Sequence, residues 1–138
     1  MKRPASTAAV RPGRHERGKR ARKLGKWAEL LCVASLTLRG WRILDRSAAL
    51  SRGTGVGEID IVARRGATLA FIEVKARPSL DDAAAAISTH QQERLIRAAE
   101  AYLARNPALQ RCAPRFDAML VVPRRLPRHV RDAWRVAG

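Results

Sequence analysis

Two short apolar segments that carry charged side chains constrain the fold of this chain more than any other feature. The first spans residues 57–62 (GEIDIV) and the second residues 71–75 (FIEVK). Their Ile, Val and Phe residues predict two buried β-strands. Burying a carboxylate is costly unless it is paired or bound to a cation. The charged residues in these strands are therefore predicted to form a functional site: Glu58, Asp60, Glu73 and Lys75.

A two-residue turn at Gly66-Ala67 is predicted to join the strands, because type II′ turns favour glycine at the first central position. This register places Arg65 opposite Thr68. It also pairs the charged residues across the hairpin, Asp60 with Glu73 and Glu58 with Lys75. Strict alternation then puts all four on one face. That face is predicted to include Val62, Leu69 and Phe71, and the other face Ile59, Ile61, Ala70, Ile72 and Val74.

Asp60 and Glu73, placed opposite each other, are predicted to bind Mg²⁺ or Mn²⁺. Mg²⁺ takes oxygen ligands and keeps several waters, one of which is a potential nucleophile. A lysine among carboxylates stays charged, so Lys75 is expected to orient the water or stabilise developing charge rather than act as a base. Glu58 is expected to pair with Lys75 or to add a metal ligand. The alternative interpretation is a cross-strand ion-pair cluster on an exposed sheet face.

Length and charge narrow the class of partner. The chain has 138 residues, which predicts one domain, and a net charge of +16. This charge favours a polyanion, with nucleic acid ahead of an anionic membrane and a merely solvated basic surface as the alternative. Cys32 and Cys112 lack metal-site spacing and suggest a reducing, cytoplasmic location. The uncharged run at residues 30–38 is too short to span a bilayer, so no membrane association is expected.

The N-terminal part of the chain is strongly basic. Residues 1–16 are predicted to be a disordered arm, and residues 17–138 a single domain that opens with a helix to Leu38 and ends it at Gly40. One side of this helix carries Trp27, Leu30, Leu31, Ala34 and Leu38, and the other Glu29, Cys32 and Leu36. Apolar residues on two sides predict burial between layers or in a homodimer interface. The predicted nucleic-acid contacts are Arg14, Arg17, Lys19, Arg20, Arg22, Lys23 and Lys26.

The rest of the chain is predicted to complete an α/β fold. Strands are expected at residues 41–45 and 115–122, a loop at 78–82, and helices from 83 or 89 to 105 and at 129–136. His90 is expected at the surface, and Asp117 in a salt bridge to an arginine. The three tryptophans, Trp27, Trp41 and Trp134, are expected in the core.

The motifs GEIDIVA (residues 57–63) and FIEVK (71–75) resemble those of the PD-(D/E)xK nuclease superfamily. Within it, the chain resembles the YraN-like family of uncharacterised bacterial proteins, from about Leu24 to Trp134. The segments GWRIL (40–44) and RFD (115–117) belong to this likeness. The same order of motifs is also similar to archaeal Holliday-junction resolvases, which carry a further glutamate on the first helix.

This resemblance implies a restriction-endonuclease-like mixed β-sheet flanked by helices, and a metal-dependent endonuclease acting on DNA, including branched DNA. Asp60 and Glu73 match the metal carboxylates, Lys75 the lysine, and Glu29 the first-helix glutamate. The alternative for Glu29 is a surface residue paired with Lys26 or Lys23. Gln91 is a candidate for supporting the site. Two other functions stay open: a non-catalytic nucleic-acid-binding module with a relic carboxylate cluster, and a protein-interaction subunit.

Overall fold

The computed structural model describes residues 14–48 and 59–136, with side chains from residue 25 to 46 and from 59 to 136. Its elements are α1 (Arg14–Leu38), β1 (Arg42–Ala48), β2 (Ile59–Arg65), β3 (Thr68–Ala76), α2 (Leu80–Ala85), α3 (Thr89–Arg105), β4 (Ala113–Val121) and β5 (Arg128–Trp134). A 3₁₀ helix spans Pro107–Arg111. Helix α1 begins three residues before the predicted start, and most of the predicted arm lies outside the described residues.

The strands form one mixed sheet in the order β1-β2-β3-β4-β5. Strands β3 and β4 are parallel and the other neighbours are antiparallel. Parallel neighbours need a long crossover, which α2 and α3 supply. One core cluster lies between the sheet and α1, and another contains residues of α2 and α3. The predicted α/β sheet flanked by helices is confirmed. No helix within the two described ranges is both long and apolar enough to cross a membrane.

The predicted hairpin between β2 and β3 has the expected register. Arg65 pairs with Thr68, and the ladder continues as far as Ile61 with Ile72. Gly66 has a φ of +59°, and Ala67 is not among the residues with positive φ, as a type II′ turn requires. Two-residue turn chemistry therefore fixed the pairing of these strands.

The predicted faces of the hairpin are correct for the apolar residues of the paired ladder but wrong at Ile59 and Asp60. Val62, Leu69 and Phe71 join the core with α3, whereas Ile61, Ala70, Ile72 and Val74 pack with α1. Ile59 was expected beside Ile61 but joins the α3 core. A continued antiparallel ladder would pair Ile59 with Val74. Instead, the N–H of Val74 donates to Asp60 Oδ2 at 2.8 Å, so alternation breaks at Asp60.

Helix α1 ends as predicted but is buried on one side alone. Gly40 has a φ of +87°, and the N–H of Trp41 donates to the carbonyl of Leu36 at 3.0 Å, which is a Schellman closure. Cys32 and Leu36 are fully buried. The opposite side is exposed: Trp27, Leu30, Leu31 and Leu38. Core placement of Trp27 was therefore wrong, whereas Trp41 and Trp134 are buried. The homodimer stays a prediction.

Two further elements differ from the sequence predictions. The loop expected at 78–82 contains the start of α2, because the Ser79 side chain accepts from the N–H of Asp82 at 3.1 Å and caps the helix. The helix expected at 129–136 is wrong, since this segment forms β5. There the N–H of Asp132 donates to the side chain of Asp117 at 2.9 Å instead of to a helical carbonyl.

Candidate active site

The structure brings Asp60, Glu73 and Lys75 together where the β2–β3 ladder ends. Lys75 Nζ lies 3.0 Å from Glu73 Oε1, and both side chains are largely buried. Asp60 is half-buried, and its hydrogen bond from the N–H of Val74 holds the carboxylate against β3. Glu58 and its predicted pairing with Lys75 lie outside the described residues. Within the described part, the carboxylate that pairs with Lys75 is Glu73.

The two carboxylates oppose each other electrostatically. Removal from water raises the pKa of Asp60 from 3.8 to about 7, and the charge of Glu73 adds to the rise. The N–H of Val74 and the charge of Lys75 act in the other direction without cancelling it. This is the expected behaviour of carboxyl groups that share a poorly solvated site. A bound cation would relieve the repulsion.

Glu29 reaches the same site from α1. It is 8% exposed, and its Oε1 lies 3.3 Å from Arg46 Nε on β1. Glu29 is therefore not a surface residue, and Arg46 is a partner of its carboxylate, whereas the Lys23 side chain lies outside the described residues. The charge of Glu29 contributes to the raised pKa of Asp60, which shows that the two carboxylates are close enough to interact. Packing of α1 on the sheet, rather than sequence neighbourhood, produces this proximity.

Cys32 also lies at the site, although the sequence analysis did not predict it as a site residue. Its thiol is fully buried on the face of α1 that carries Glu29. Burial, followed by the charges of Asp60 and Glu29, raises the pKa of the thiol to about 12. The thiol therefore stays protonated at neutral pH and adds no negative charge to the site. The spacing of Cys32 and Glu29 on one helix face is the sequence signal for this neighbourhood.

The donor set fits a magnesium-type ion better than zinc. In residues 14–48 and 59–136, no three His, Cys, Asp or Glu side chains converge closely enough to hold a metal ion. Zinc sites use three or four protein ligands, often sulfur or nitrogen. Mg²⁺ is held by one or two carboxylates together with waters and substrate phosphates, and Mn²⁺ favours the same ligands. Asp60 and Glu73, with Glu29 close to Asp60, are described residues that carry such carboxylates.

Gln91, which was predicted to support the site, lies in the first turn of α3. Its Oε1 is buried and has no hydrogen-bond donor within the described ranges. A buried amide oxygen without a donor is uncommon and suits a water or a cation. The structure gives no contact between Gln91 and the carboxylates, so its supporting role stays a prediction.

The structure describes some of the basic residues that were predicted to contact nucleic acid. The backbone of α1 includes all seven of them, but side chains are described from residue 25 onward, which leaves Lys26, an exposed residue. His90 is exposed, as predicted.

A second charged cluster lies on β4 and β5. Asp117 is fully buried and accepts two 2.8 Å hydrogen bonds from Arg115, which confirms the predicted salt bridge. His129 Nε2 lies 2.7 Å from the same carboxylate. Trp41 packs edge-on to the His129 ring, and the Arg115 guanidinium lies 5.5 Å from the Trp41 ring centre. Because every oxygen of Asp117 has a partner, this cluster is structural.

Comparison with known proteins identifies relatives along most of the chain. The model of a family described as "Uncharacterised protein family UPF0102" matches residues 28–121. A UPF0102 protein of Paramagnetospirillum magneticum is 50% identical over 116 residues, covering 84% of this chain and 90% of the relative. One from Nitrobacter winogradskyi is 53% identical over 110 residues, covering 80% and 90%. One from Methylorubrum extorquens is 44% identical over 138 residues, covering 100% and 99%.

Proposed function

The chain belongs to the uncharacterised protein family UPF0102, and we propose that it is a metal-dependent nuclease that hydrolyses phosphodiester bonds of DNA. The observation that carries the proposal is the grouping of three side chains where the β2–β3 ladder ends. The N–H of Val74 holds the Asp60 carboxylate against β3 at 2.8 Å, and the Lys75 ammonium lies 3.0 Å from Glu73. The sheet order, the flanking helices and the Glu29 carboxylate support membership of the PD-(D/E)xK superfamily. The family description itself assigns no activity.

Each residue of the site has a distinct role in this proposal. Asp60 and Glu73 hold Mg²⁺ or Mn²⁺, which when bound polarises the scissile phosphate and a water molecule. Lys75 stabilises the charge that develops on the phosphate oxygens, a role that suits an ammonium group held at the site by Glu73. Glu73 positions Lys75 through their contact. Hydrolysis adds water across one P–O bond and leaves a phosphomonoester and a free hydroxyl group.

The substrate is proposed from the net charge of the chain and from its resemblance to resolvases. A net charge of +16 favours a nucleic acid, and the similarity to resolvases points to branched or otherwise structured DNA. The buried free thiols of Cys32 and Cys112 suit the reducing cytoplasm in which such DNA is found.

One observation favours a second candidate, a nucleic-acid-binding module that has lost catalysis. The described residues contain no group of three potential metal ligands, and Lys75 is already paired with Glu73. Such a module would bind DNA with the same salt dependence but would be indifferent to divalent ions.

Thermal melting with and without Mn²⁺ tests the proposal before any substrate is known. The wild type is expected to melt at a higher temperature with Mn²⁺, and Asp60→Asn to lose this shift. Asp82→Asn is the matched control, because Asp82 is exposed on α2 and should keep the shift. Equal responses of wild type and Asp60→Asn would support the binding module instead.

Cleavage of duplex, single-stranded, flap and four-way-junction DNA, and of RNA, then identifies the substrate.

A further inference from the structure

A groove of about 700 Å³ opens beyond the carboxyl ends of the parallel strands β3 and β4. Ala76, the residue directly after Lys75, is part of its lining. Trp27 and Leu31 of α1 line one side, and the segment after β4 lines another. Open α/β sheets bind ligands in this position, outside the carboxyl ends of their strands. We call it the arginine groove, after its lining residues Arg77, Arg124 and Arg125.

The charge of the groove is entirely positive. Its lining includes three arginines and no acidic residue. All three are exposed, and no salt bridge joins any of them to a carboxylate in the part of the chain that the structure describes. Arg77 Nη1 donates to the carbonyl oxygen of Ala76 at 2.7 Å, which leaves its other donors for a ligand. The groove therefore favours an anion with several charges.

The groove also presents apolar surface to water. Trp27 is 62% exposed and Leu126 is 84% exposed, and the exposed Pro78 and Pro123 complete this surface. Phosphates alone need no apolar partner. Nucleic-acid bases do have an apolar partner, because the flat face of each base stacks on aromatic side chains. In a duplex these faces are covered by the neighbouring base pairs, so they are free to stack on protein only in an unpaired strand. The combination of a bare tryptophan and arginines matches an unpaired strand.

The backbone at Arg124 gives an independent reason to assign a role to its side chain. Arg124 follows Pro123 in the turn after β4 and has a φ of 63°. Glycine adopts this conformation readily, whereas other residues do so at a cost in stability. A turn that needs shape alone would be served better by glycine. Strain of this kind is concentrated at ligand-binding sites.

We infer that the arginine groove binds an unpaired segment of DNA, with bases stacked on Trp27 and phosphates on Arg77, Arg124 and Arg125. The inference deepens the proposed function and rests on it in naming the substrate class: DNA with an unpaired strand that continues from the groove to Lys75. A second copy of the chain is a poor occupant, because two such grooves would bring like charges face to face.

Binding of a labelled oligothymidylate of about 15 nucleotides, measured by fluorescence anisotropy without divalent ions, tests the stacking contact. A duplex hairpin of the same charge is the second probe. Trp27→Ala should weaken oligothymidylate binding by about 10-fold and leave hairpin binding unchanged. Leu38→Ala, which removes another exposed apolar side chain of α1, should change neither. Equal binding of oligothymidylate by Trp27→Ala and wild type would overturn the inference.

Arg124→Gly tests the charge without harming the fold, since it removes a cation and relieves the positive φ. It should weaken oligothymidylate binding several-fold and make the slope of log affinity against log salt shallower by about 0.7, without lowering the melting temperature. Arg97→Gln, an exposed arginine of α3, is the charge-matched control. Identical binding by Arg124→Gly and Arg97→Gln would contradict the groove contact. Sedimentation in which Trp27→Ala converts a dimer to a monomer would instead make a second copy the occupant.

The two proposals fail separately. If the groove variants bind like wild type while Asp60→Asn still abolishes the Mn²⁺ response and cleavage, the groove assignment alone is wrong. If the groove variants lose oligothymidylate binding but wild type shows no Mn²⁺ response and no cleavage, the nuclease proposal alone is wrong. In the latter case the groove belongs to a binding module.

Discussion

Two aspartates of the same sheet show what decides the charge of a carboxyl group in this protein. Asp117 is fully buried, whereas Asp60 is half-buried. Burial alone would raise both pKa values, yet the pKa of Asp117 is lowered to about 2 and that of Asp60 is raised to about 7. Removal from water is the largest single influence on both groups, and the hydrogen-bond donors decide whether it is outweighed.

The difference lies in the partners. Asp117 receives hydrogen bonds from His129, Arg115 and the N–H of Asp132, and these outweigh its burial. Asp60 receives one from the N–H of Val74 and faces the charges of Glu73 and Glu29. Both oxygens of Asp117 have donors, whereas the cluster around Asp60 has acceptors in excess. An excess of acceptors is what a cation-binding site needs, and the experiments below test whether this contrast is real.

The largest expected effect is on activity. Asp60→Asn and Glu73→Gln keep the shape of the side chains but remove the charge that holds the cation, so cleavage should fall by at least about 10³-fold. Both variants should fold, because Asn and Gln end the repulsion between the two carboxylates. Steady-state cleavage assays and circular dichroism measure the two properties. Glu93→Gln, on the exposed surface of α3, should keep full activity. Retained cleavage in Asp60→Asn would remove Asp60 from the mechanism.

Lys75→Ala separates the two functions of the site. The carboxylates remain, so Mn²⁺ should still raise the melting temperature, while cleavage should fall by about 10²–10³-fold, the scale for losing one electrostatic stabiliser. Calorimetric titration with Mn²⁺ and single-turnover cleavage measure these effects separately. Loss of metal binding in this variant would mean that Lys75 organises the carboxylates instead of acting on the phosphate.

Asp117→Asn should affect stability and spare the metal site. It removes the negative charge and replaces one of the two acceptor oxygens by an NH₂ group, which leaves donors of Arg115 or His129 without a partner in a buried cluster and costs about 3 kcal/mol of unfolding free energy. Urea denaturation at neutral pH measures the loss. The rise in melting temperature with Mn²⁺ should persist. A stable Asp117→Asn protein would show that this cluster contributes little, and the contrast with Asp60 would then have no structural meaning.

The smallest expected effect is in the pH dependence of stability. The folded pKa of Asp117, about 2, lies below its ordinary value of 3.8, so its contribution of about 2 kcal/mol is present above pH 3.8 and is lost as the pH falls toward 2. The stability difference between wild type and Asp117→Asn should therefore shrink across this interval. Urea denaturation curves at a series of pH values give the difference directly. A difference that stays constant between pH 5 and 2 would show that Asp117 does not titrate as described.

The sequence determined features that depend on near neighbours. Gly66 and Ala67 determined the register of the hairpin, because a two-residue turn leaves one pairing for the strands, and this register holds as far as Ile61 with Ile72. Gly40 determined the end of α1, since glycine accepts the positive φ of the closure. Alternation identified which hairpin residues face each core, up to the point where the Asp60 side chain replaced a backbone partner at Val74.

Tertiary structure alone decided what depends on residues distant in the chain. Residues 129–136 became a strand, because Asp117 and β4 offered them hydrogen bonds that local propensity does not register. Packing of α1 brought Glu29 and Cys32 to Asp60 and left Trp27 exposed beside Arg124. The pattern of apolar residues showed that α1 has two apolar sides, but it did not show which side packs against the sheet. The packed side is determined by contacts with residues distant in the chain, and no local segment encodes these contacts.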